Sequence, residues 1–259
     1  MLSILESAFH YTLKSHISTM TIFYKLQNAR IDVGEISDLY KSANAETWRS
    51  IWNGKHYLVR IQGSRKTKKA AFRSFSNSIS LVTHSSSKKT ICAKIFRNGG
   101  IQVTGCQSEE QSLEIVNDIT RFLKTILKNR EEALCIESST INMINIVCNI
   151  KDAINYQAFD LEQLSNLLQQ DSVSNLIAKY DREKYFGLSV KVPLQLKQEE
   201  EEKKTSMQKF KRAHPNATVL IFSSGMFVIT GVKCTEHVQI VNDKFIKLFE
   251  KIYRQCIIS

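Results

Sequence analysis

Residues 95–105 read IFRNGGIQVTG, and residues 221–231 read IFSSGMFVITG. The two stretches align without a gap, and both keep an Ile-Phe pair, a central Gly and a Thr-Gly pair. In each stretch two short apolar runs flank a glycine-containing turn, which is the pattern of a β-hairpin. Two matching hairpins in one chain indicate an internal repeat.

The repeat continues into the segments that follow the hairpins. Apolar residues recur every three or four positions there, which predicts one long amphipathic helix after each hairpin. Ser108 and Gln111 form a capping box at the start of the first helix, and Thr235 is the expected cap of the second. The apolar positions are Ile115, Val116, Ile119, Phe122, Leu123, Ile126 and Leu127 in one helix, and Val238, Val241, Phe245, Leu248, Phe249 and Ile252 in the other.

The repeat also extends upstream of the hairpins. A strand-like run at 18–24 precedes a capping box of Asp32 with Glu35, and a run at 142–150 precedes a capping box of Asp160 with Gln163. Each half therefore reads as strand, short helix, several strands and long helix, which predicts an α+β fold. The expected domains are a first repeat at 1–130 with a basic insertion at about 41–73, and a second repeat at 138–259 with a charged insertion at about 195–216.

The composition is that of a basic globular protein. Apolar residues make up 42% of the chain and charged residues 24%. The formal net charge of +11 favours an anionic partner such as nucleic acid or an acidic membrane surface. The basic insertion is equally compatible with phosphate contact and with a solvated loop, whereas the charged insertion favours a solvated loop.

Catalytic and metal-binding patterns are missing from the sequence. The six histidines are dispersed without HxxxH or HExxH spacing, and no glycine-rich phosphate loop occurs. These observations predict no enzymatic activity, no metal and no cofactor. The six cysteines lack a CxxC pair, which predicts free thiols in a reducing compartment. The first residues hold no apolar run long enough for a signal peptide or a membrane span, so we expect a soluble intracellular protein without a membrane partner.

Four motifs resemble the TATA-box-binding protein family. TVLIFSSGMFVITGVK (218–233) is similar to the family's hairpin, roughly LIFxSGKxVxTGAK, and AKYDREKYFGL (178–188) is similar to its AxYxPxxF segment. SEEQS (108–112) resembles the start of the family's long helix, and NIV (145–147) resembles its Asn-containing first strand. The insertions and departures resemble the diverged versions carried by large DNA viruses of eukaryotes.

The resemblance implies a saddle of two pseudo-symmetric repeats, with a curved antiparallel sheet below and helices on top. Its underside would bind A·T-rich promoter DNA in the minor groove and bend it. The implied partners are double-stranded DNA, a B-type general initiation factor and RNA polymerase, in a host nucleus or a cytoplasmic viral factory. The exposed apolar underside also predicts self-association or capping by a partner. The alternative function is a saddle-shaped protein-interaction scaffold in a transcription complex, with weak or lost DNA bending.

The site residues of the second repeat follow from the resemblance together with strand alternation. Alternate residues of a strand share a face, although alternating apolar positions taken alone are more typical of a core-facing strand. The resemblance gives Asn145 a groove-reading role, makes Phe222 a kinking residue with Tyr185 as its partner, and makes Lys233 a phosphate contact. The implied DNA-binding residues are Asn145, Val147, Tyr185, Phe186, Leu220, Phe222, Val228, Thr230 and Lys233.

The first repeat departs from the family pattern. Met20 or Thr21 stands where the second repeat has its Asn, Lys94 replaces an underside Leu, and Gln102 replaces a Val. We interpret Lys94 as reaching a phosphate or the groove floor, and we expect a weaker or different sequence preference. The remaining candidates are Phe96, Thr104 and Phe75, the last as a second kinking residue in competition with Phe72.

Overall fold

The structure, a computed structural model, describes residues 13–27, 29–32, 36, 58–60, 78–84, 89–126, 134–150, 158–170, 175–194 and 216–258. The chain divides into two compact units. The first unit is Thr19–Asn142, and the second combines Met1–Ser18 with Met143–Ser259. The repeat bounds of 1–130 and 138–259 stay a prediction.

The first unit is a five-stranded antiparallel sheet followed by a long helix. The strand order is β2-β3-β4-β5-β1, with β1 belonging to this unit from Thr19 onward. The elements are β1 (Leu13–Leu26), β2 (Leu58–Arg60), β3 (Ser78–His84), β4 (Thr90–Phe96), β5 (Gly100–Cys106) and α1 (Glu109–Ile126).

The second unit repeats this arrangement. Its sheet has the order β6-β11-β10-β9-β8, with β6 belonging to it from Met143 onward, and β7 pairs with β12 in a separate two-stranded sheet. The elements are β6 (Ile136–Ile150), β7 (Ala158–Phe159), α2 (Leu161–Gln170), β8 (Ile177–Asp181), β9 (Tyr185–Pro193), β10 (Asn216–Ile221), β11 (Met226–Val232), α3 (Thr235–Val241), a π-helical turn (Asn242–Ile246), α4 (Lys247–Ile252), a 3-10 turn (Tyr253–Cys256) and β12 (Ile257–Ile258).

The aligned glycines of the two hairpins adopt the same backbone conformation. Gly99 and Gly225 have φ of 77° and 76°, and Gly105 and Gly231 have φ of 102° and 86°. This left-handed region favours glycine because it strains residues that carry a Cβ. A Cβ on Gly105 would also lie 2.6 Å from the carbonyl oxygen of Thr90. Each hairpin therefore needs a glycine at its turn and a second one near the end of its return strand.

One face of each sheet is the core. In β10 and β11 the side chains of Val219, Ile221, Phe227 and Ile229 are at most 1% exposed, and in α1 the predicted apolar face is buried from Ile115 to Leu123. The rings of Phe227, Phe245 and Phe249 form an aromatic cluster that joins β11 to the π-helical turn and α4. The opposite face of each sheet carries most of the half-buried and exposed side chains of the strands.

The helix caps follow the sequence in two of the four predicted places. Ser108 Oγ accepts a hydrogen bond from Gln111 N at 3.2 Å, and Asp160 Oδ1 accepts one from Gln163 N at 2.9 Å. The prediction that Thr235 caps α3 was wrong. The helix already begins at Thr235, and its N-cap is Cys234, whose side chain forms no cap hydrogen bond. The capping box of Asp32 with Glu35 lies partly outside the described residues, since Glu35 is not described.

Candidate functional site

The second unit carries a row of side chains on the sheet face that lies away from its core. Leu220 lies opposite Val228 across β10 and β11, and Val228 lies opposite Val147 on β6. Leu220 also lies opposite Ser189 on β9. All four are half-buried, whereas their neighbours along the strands are buried. The second-unit row is therefore a shallow, largely apolar surface across four strands.

Asn145 and Thr230 extend this face beside the row. Thr230 lies opposite Thr218, and its Oγ1 donates to the thioether sulfur of Met143 at 3.5 Å. The backbone carbonyl of Asn145 accepts a hydrogen bond from Ser18 Oγ at 3.3 Å. The Asn145 side chain is half-buried, and its Oδ1 atom is shielded from solvent.

Three aromatic rings gather beside the row, where β10 ends and β9 begins, and are called the aromatic cap below. The ring centroid of Phe222 lies 6.4 Å from that of Tyr185 and 5.7 Å from that of Phe186. Phe186 is 70% exposed and Tyr185 is 41% exposed, which is unusual for large rings without a partner. A Cβ on Gly187 would lie 2.9 Å from the Tyr185 ring and 3.1 Å from the Phe222 ring. Because Gly187 has no side chain, the rings of Tyr185 and Phe222 have space to approach each other.

The first unit carries the equivalent row with different chemistry. Lys94 lies opposite Gln102 across β4 and β5, and Gln102 lies opposite Phe23 on β1. Lys94 also lies opposite Ser80 on β3. Lys94, Gln102 and Phe23 are half-buried, and Ser80 is buried. The first-unit row is thus polar through three of its four members.

The two hairpins have the same register, which makes the rows comparable position by position. The pair of Lys94 and Gln102 occupies the place that Leu220 and Val228 occupy in the second unit. The sequence predicted both replacements, and the register puts them directly beside each other. A charged and an amide side chain therefore replace two aliphatic ones at the centre of the face.

Thr21, and not Met20, holds the place of Asn145. Thr21 lies opposite Thr104, and their Oγ1 atoms are 3.4 Å apart. Met20 is 2% exposed among the core residues. The register shift between these two residues could not be read from periodicity, because it depends on the glycine bulge in the partner strand.

The remaining first-unit candidates divide between described and undescribed parts of the chain. Phe96 is half-buried and lies opposite Ser78 at the end of β4. Phe75, its competitor Phe72, most of the basic insertion and all of the charged insertion except Asn216 lie outside the described residues. No position in space is therefore assigned to a second kinking residue.

Sequence reasoning missed two basic residues beside the second-unit row, whereas a third, Arg60, belongs to the predicted basic insertion. Lys179 lies opposite Ser189, and Lys191 lies opposite Thr218, so both lysines share the face of the second-unit row and both are exposed. Arg60 lies opposite Ser80 at the equivalent edge of the first unit. Counting alternate positions outward from the hairpin would have found Lys179 and Lys191 once the strand pairing was known.

Lys233 is exposed directly after β11. Its backbone N–H donates to Nδ1 of the buried His237 at 3.2 Å. Burial lowers the pKa of His237 and Lys233 lowers it further, while Glu236 acts in the opposite direction. The neutral imidazole is thereby kept as the acceptor that fixes the backbone at Lys233.

Other site chemistries find no support in the part of the chain that the structure describes. No group of three or more His, Cys, Asp or Glu residues is arranged there to hold a metal ion. Among the same residues no helix is long and apolar enough to cross a membrane. All six cysteines are free, as their spacing predicted.

A family comparison identifies the origin of this arrangement. The sequence model of the family described as "Transcription factor TFIID (or TATA-binding protein, TBP)" matches residues 58–126 and 140–252. These ranges contain both hairpins, both rows except for β1, and the long helices that follow. The chain belongs to the TATA-binding protein family.

Individual members of the family are distant from this chain. A "TATA-box-binding protein" of Methanococcus maripaludis is 25% identical over 167 residues, which span 64% of this chain and 72% of the relative. The solved structure of "Methanococcus jannaschii TBP" is 17% identical, with 92% of this chain and 99% of that chain covered and a TM-score of 0.48.

Membership in the TATA-binding protein family confirms the predicted resemblance and the predicted α+β fold class. The family consists of transcription factors and not of enzymes, so this chain has a transcription-related DNA-binding role. DNA and the transcription machinery are its general partners.

Proposed function

We propose that this chain is a transcription initiation factor that binds A·T-rich promoter DNA in the minor groove, bends it, and recruits a B-type initiation factor and RNA polymerase. The observation that carries the proposal is the second-unit row of Leu220, Val228 and Val147, which lies beside Asn145 and beside the aromatic cap.

The chemistry of the row suits a minor groove. That groove presents only acceptors at A·T pairs, so long charged side chains gain little discrimination there. A shallow aliphatic surface can instead fill a widened groove. The amide of Asn145 can donate to the acceptors of A·T pairs, where the exocyclic amine of guanine would obstruct it.

The aromatic cap suits the bending step. Apolar wedges of the kind this family itself uses unstack a base step at a cost of about a few kcal/mol. Phe222 and Tyr185 are ring neighbours beside the row, and Phe186 is largely exposed next to them. A wedge must be exposed before DNA arrives, because a ring already buried in the core has no stabilisation left to gain from the duplex.

The exposed lysines around the second-unit row suit contact with the phosphate backbone of DNA. Lys179, Lys191 and Lys233 are exposed around the second-unit row, and the chain as a whole carries a net charge of +11. Each phosphate that a lysine neutralises releases counterions, so binding weakens as salt rises.

Equilibrium binding to labelled duplexes of equal length tests the proposal. We expect tighter binding to A·T-rich than to G·C-rich DNA, competition by a minor-groove-binding polyamide, and a linear decrease of log affinity with log salt. The double variant Lys179→Gln/Lys191→Gln should reduce the salt slope by about two. The matched control Lys247→Gln, on an exposed part of α4, should leave it unchanged.

A second function is favoured by one observation, the polar pair of Lys94 and Gln102 at the centre of the first-unit row. A face that had lost DNA bending could serve as a protein-interaction scaffold in a transcription complex. Equal, weak binding to both duplexes without competition by the polyamide would support the scaffold and contradict the DNA-bending proposal.

A further inference from the structure

We propose that the pair of Lys94 and Gln102 makes the first unit accept a G·C base pair in its half of the DNA site, with Gln102 Oε1 accepting a hydrogen bond from the 2-amino group of guanine. The inference rests on the proposed function, because it assigns a base preference to the same groove-binding face.

The pair of Lys94 and Gln102 stands at the centre of the first-unit row. Lys94 and Gln102 lie directly opposite each other, and the equivalent residues Leu220 and Val228 stand at the centre of the second-unit row. The strand neighbours Ala93, Ile95, Ile101 and Val103 are at most 2% exposed, which places Lys94 and Gln102 on the face away from the core.

The pair offers the minor groove a hydrogen-bond acceptor that the second-unit row lacks. In the minor groove an A·T pair shows only acceptors, whereas a G·C pair adds one donor, the 2-amino group of guanine. Leu220 and Val228 have no acceptor to offer this donor. Gln102 has a carbonyl oxygen with two acceptor sites, so it can serve the guanine amine and the Lys94 ammonium together. Lys94 can also donate to N3 or O2, which every base pair presents.

The first unit also has no asparagine at the place that Asn145 holds in the second unit. In the second unit the Oδ1 atom of Asn145 is shielded from solvent, so the amide nitrogen is the group available to DNA, and a guanine amine there would meet another donor. In the first unit Thr21 occupies that place, is 7% exposed, and has its hydroxyl 3.4 Å from that of Thr104. The first-unit face therefore adds the Gln102 acceptor and lacks the asparagine donor, while the Lys94 ammonium can donate to Gln102 Oε1 or to N3 and O2.

The two rows consequently select different bases. The second unit selects A·T pairs, and the first unit accepts or prefers a G·C pair near the centre of its half. The preferred site is an A·T-rich sequence that carries one G·C pair on one side.

Duplexes in which one G·C pair is moved through an A·T-rich site provide the test. We expect full-length protein to bind most tightly when the pair occupies a position in one half only. Replacing that guanine by inosine removes the 2-amino group and leaves the major groove unchanged, so affinity should fall roughly tenfold. Replacing an adenine there by 2,6-diaminopurine, which adds the amine, should raise it.

The variant Lys94→Leu/Gln102→Val installs the second-unit pair and should reverse these preferences, so that inosine binds more tightly than guanine. The single variant Gln102→Val should lose the inosine effect while it keeps the Lys94 charge. Thermal melting of each variant identifies any loss of folding, and wild-type protein on the guanine and inosine duplexes tests the inference without any substitution.

The outcomes separate the inference from the function on which it rests. Tight binding to A·T-rich DNA with no difference between guanine, inosine and diaminopurine overturns the inference and leaves the proposed function intact. An equal loss of affinity on all duplexes in Lys94→Leu, with a smaller salt slope, also overturns it, because Lys94 then contacts phosphate. Failure to bind any duplex sinks the proposed function itself.

Discussion

The ring of Phe249 meets the ring of Phe227 edge to face, with centroids 4.9 Å apart and an interplanar angle of 80°. Phe249 also lies 6.1 Å from Phe159 and 5.4 Å from Tyr253, so it joins α4 to β11, to β7 and to the chain that follows α4. On the other face of the same hairpin Phe222 belongs to the aromatic cap. One unit thus holds its aromatic rings in two places, one inside the core and one at the surface.

Phe249→Ala should destabilise the protein strongly, whereas Phe222→Ala should not. Phe249 is 0% exposed, and removing a buried Phe costs about 3–5 kcal/mol through lost transfer energy and a residual cavity. Phe222 is half-buried on the opposite face, so its loss should cost less than about 1 kcal/mol. Urea denaturation of both variants measures the difference, and equal destabilisation would contradict the assignment of Phe222 to the functional face.

Gly187→Ala should displace the aromatic cap while the fold is kept. The new methyl group would meet Tyr185 and Phe222 at 2.9 and 3.1 Å and the carbonyl oxygen of Ile221 at 3.3 Å. We expect a loss of about 1–2 kcal/mol in the free energy of unfolding and altered ring signals in the NMR spectrum. Ser189→Ala on the same strand is the matched control. Unchanged ring signals in Gly187→Ala would show that the rings do not meet over this glycine.

Gly105→Ala and Gly231→Ala should both destabilise the hairpin to which each belongs, with the larger effect at Gly105. Both backbones are left-handed, and the added Cβ would lie 2.6 Å from Thr90 O in one case and 3.0 Å from Asn216 O in the other. Strain of this kind costs about 1–3 kcal/mol. Chemical denaturation checks the order, with the exposed turn residue Ser224→Ala as the control. A larger effect at Gly231 than at Gly105 would contradict the close approach to Thr90.

The stability of the second unit should depend on pH through His237. Burial, with Lys233 in addition, lowers the pKa of this imidazole below its ordinary value of 6.5. The unfolded chain therefore binds the proton more tightly than the folded one. The contribution of neutral His237 to the free energy of unfolding is therefore fully present above about pH 6.5. It decreases as the pH falls from there toward the lowered pKa.

Thermal melting between pH 5 and 8 measures this dependence. His237→Gln keeps an acceptor for the backbone N–H of Lys233 but cannot take up a proton in this range, so its melting temperature should vary less with pH. A pH dependence of the same size in wild type and variant would show that other groups cause it.

Local patterns in the sequence were sufficient for the hairpins and for two of the helix caps. The two hairpins, the glycines at their turns, the cap residues Ser108 and Asp160, and the pairing of Leu220 with Val228 all depend on spacing that is visible along the chain. Alternation along a strand gave the correct face for Val147 and Thr230 as well.

The rest depended on contacts between distant segments. The choice of Thr21 over Met20 is fixed by the bulge in β5, and the edge positions of Lys179 and Lys191 are fixed by the pairing of β8 with β9 and of β9 with β10. Two features interrupt the periodic patterns: the short pairing of β7 with β12 and the π-helical turn at Asn242–Ile246. Neither has a characteristic amino-acid composition. Neither could be predicted from the periodicity of the sequence.

The bend of the DNA is the most direct test of the proposed function. End-labelled fluorescence transfer on an A·T-rich duplex of about 25 base pairs reports the end-to-end distance at low salt, where both wild type and Phe222→Ala should bind. We predict a clear increase in transfer when wild-type protein binds and a much smaller one with Phe222→Ala, because the wedge that unstacks the base step is missing. Binding by wild-type protein without any change in transfer, or equal bending by the variant, would contradict a groove-bending face that ends at Phe222.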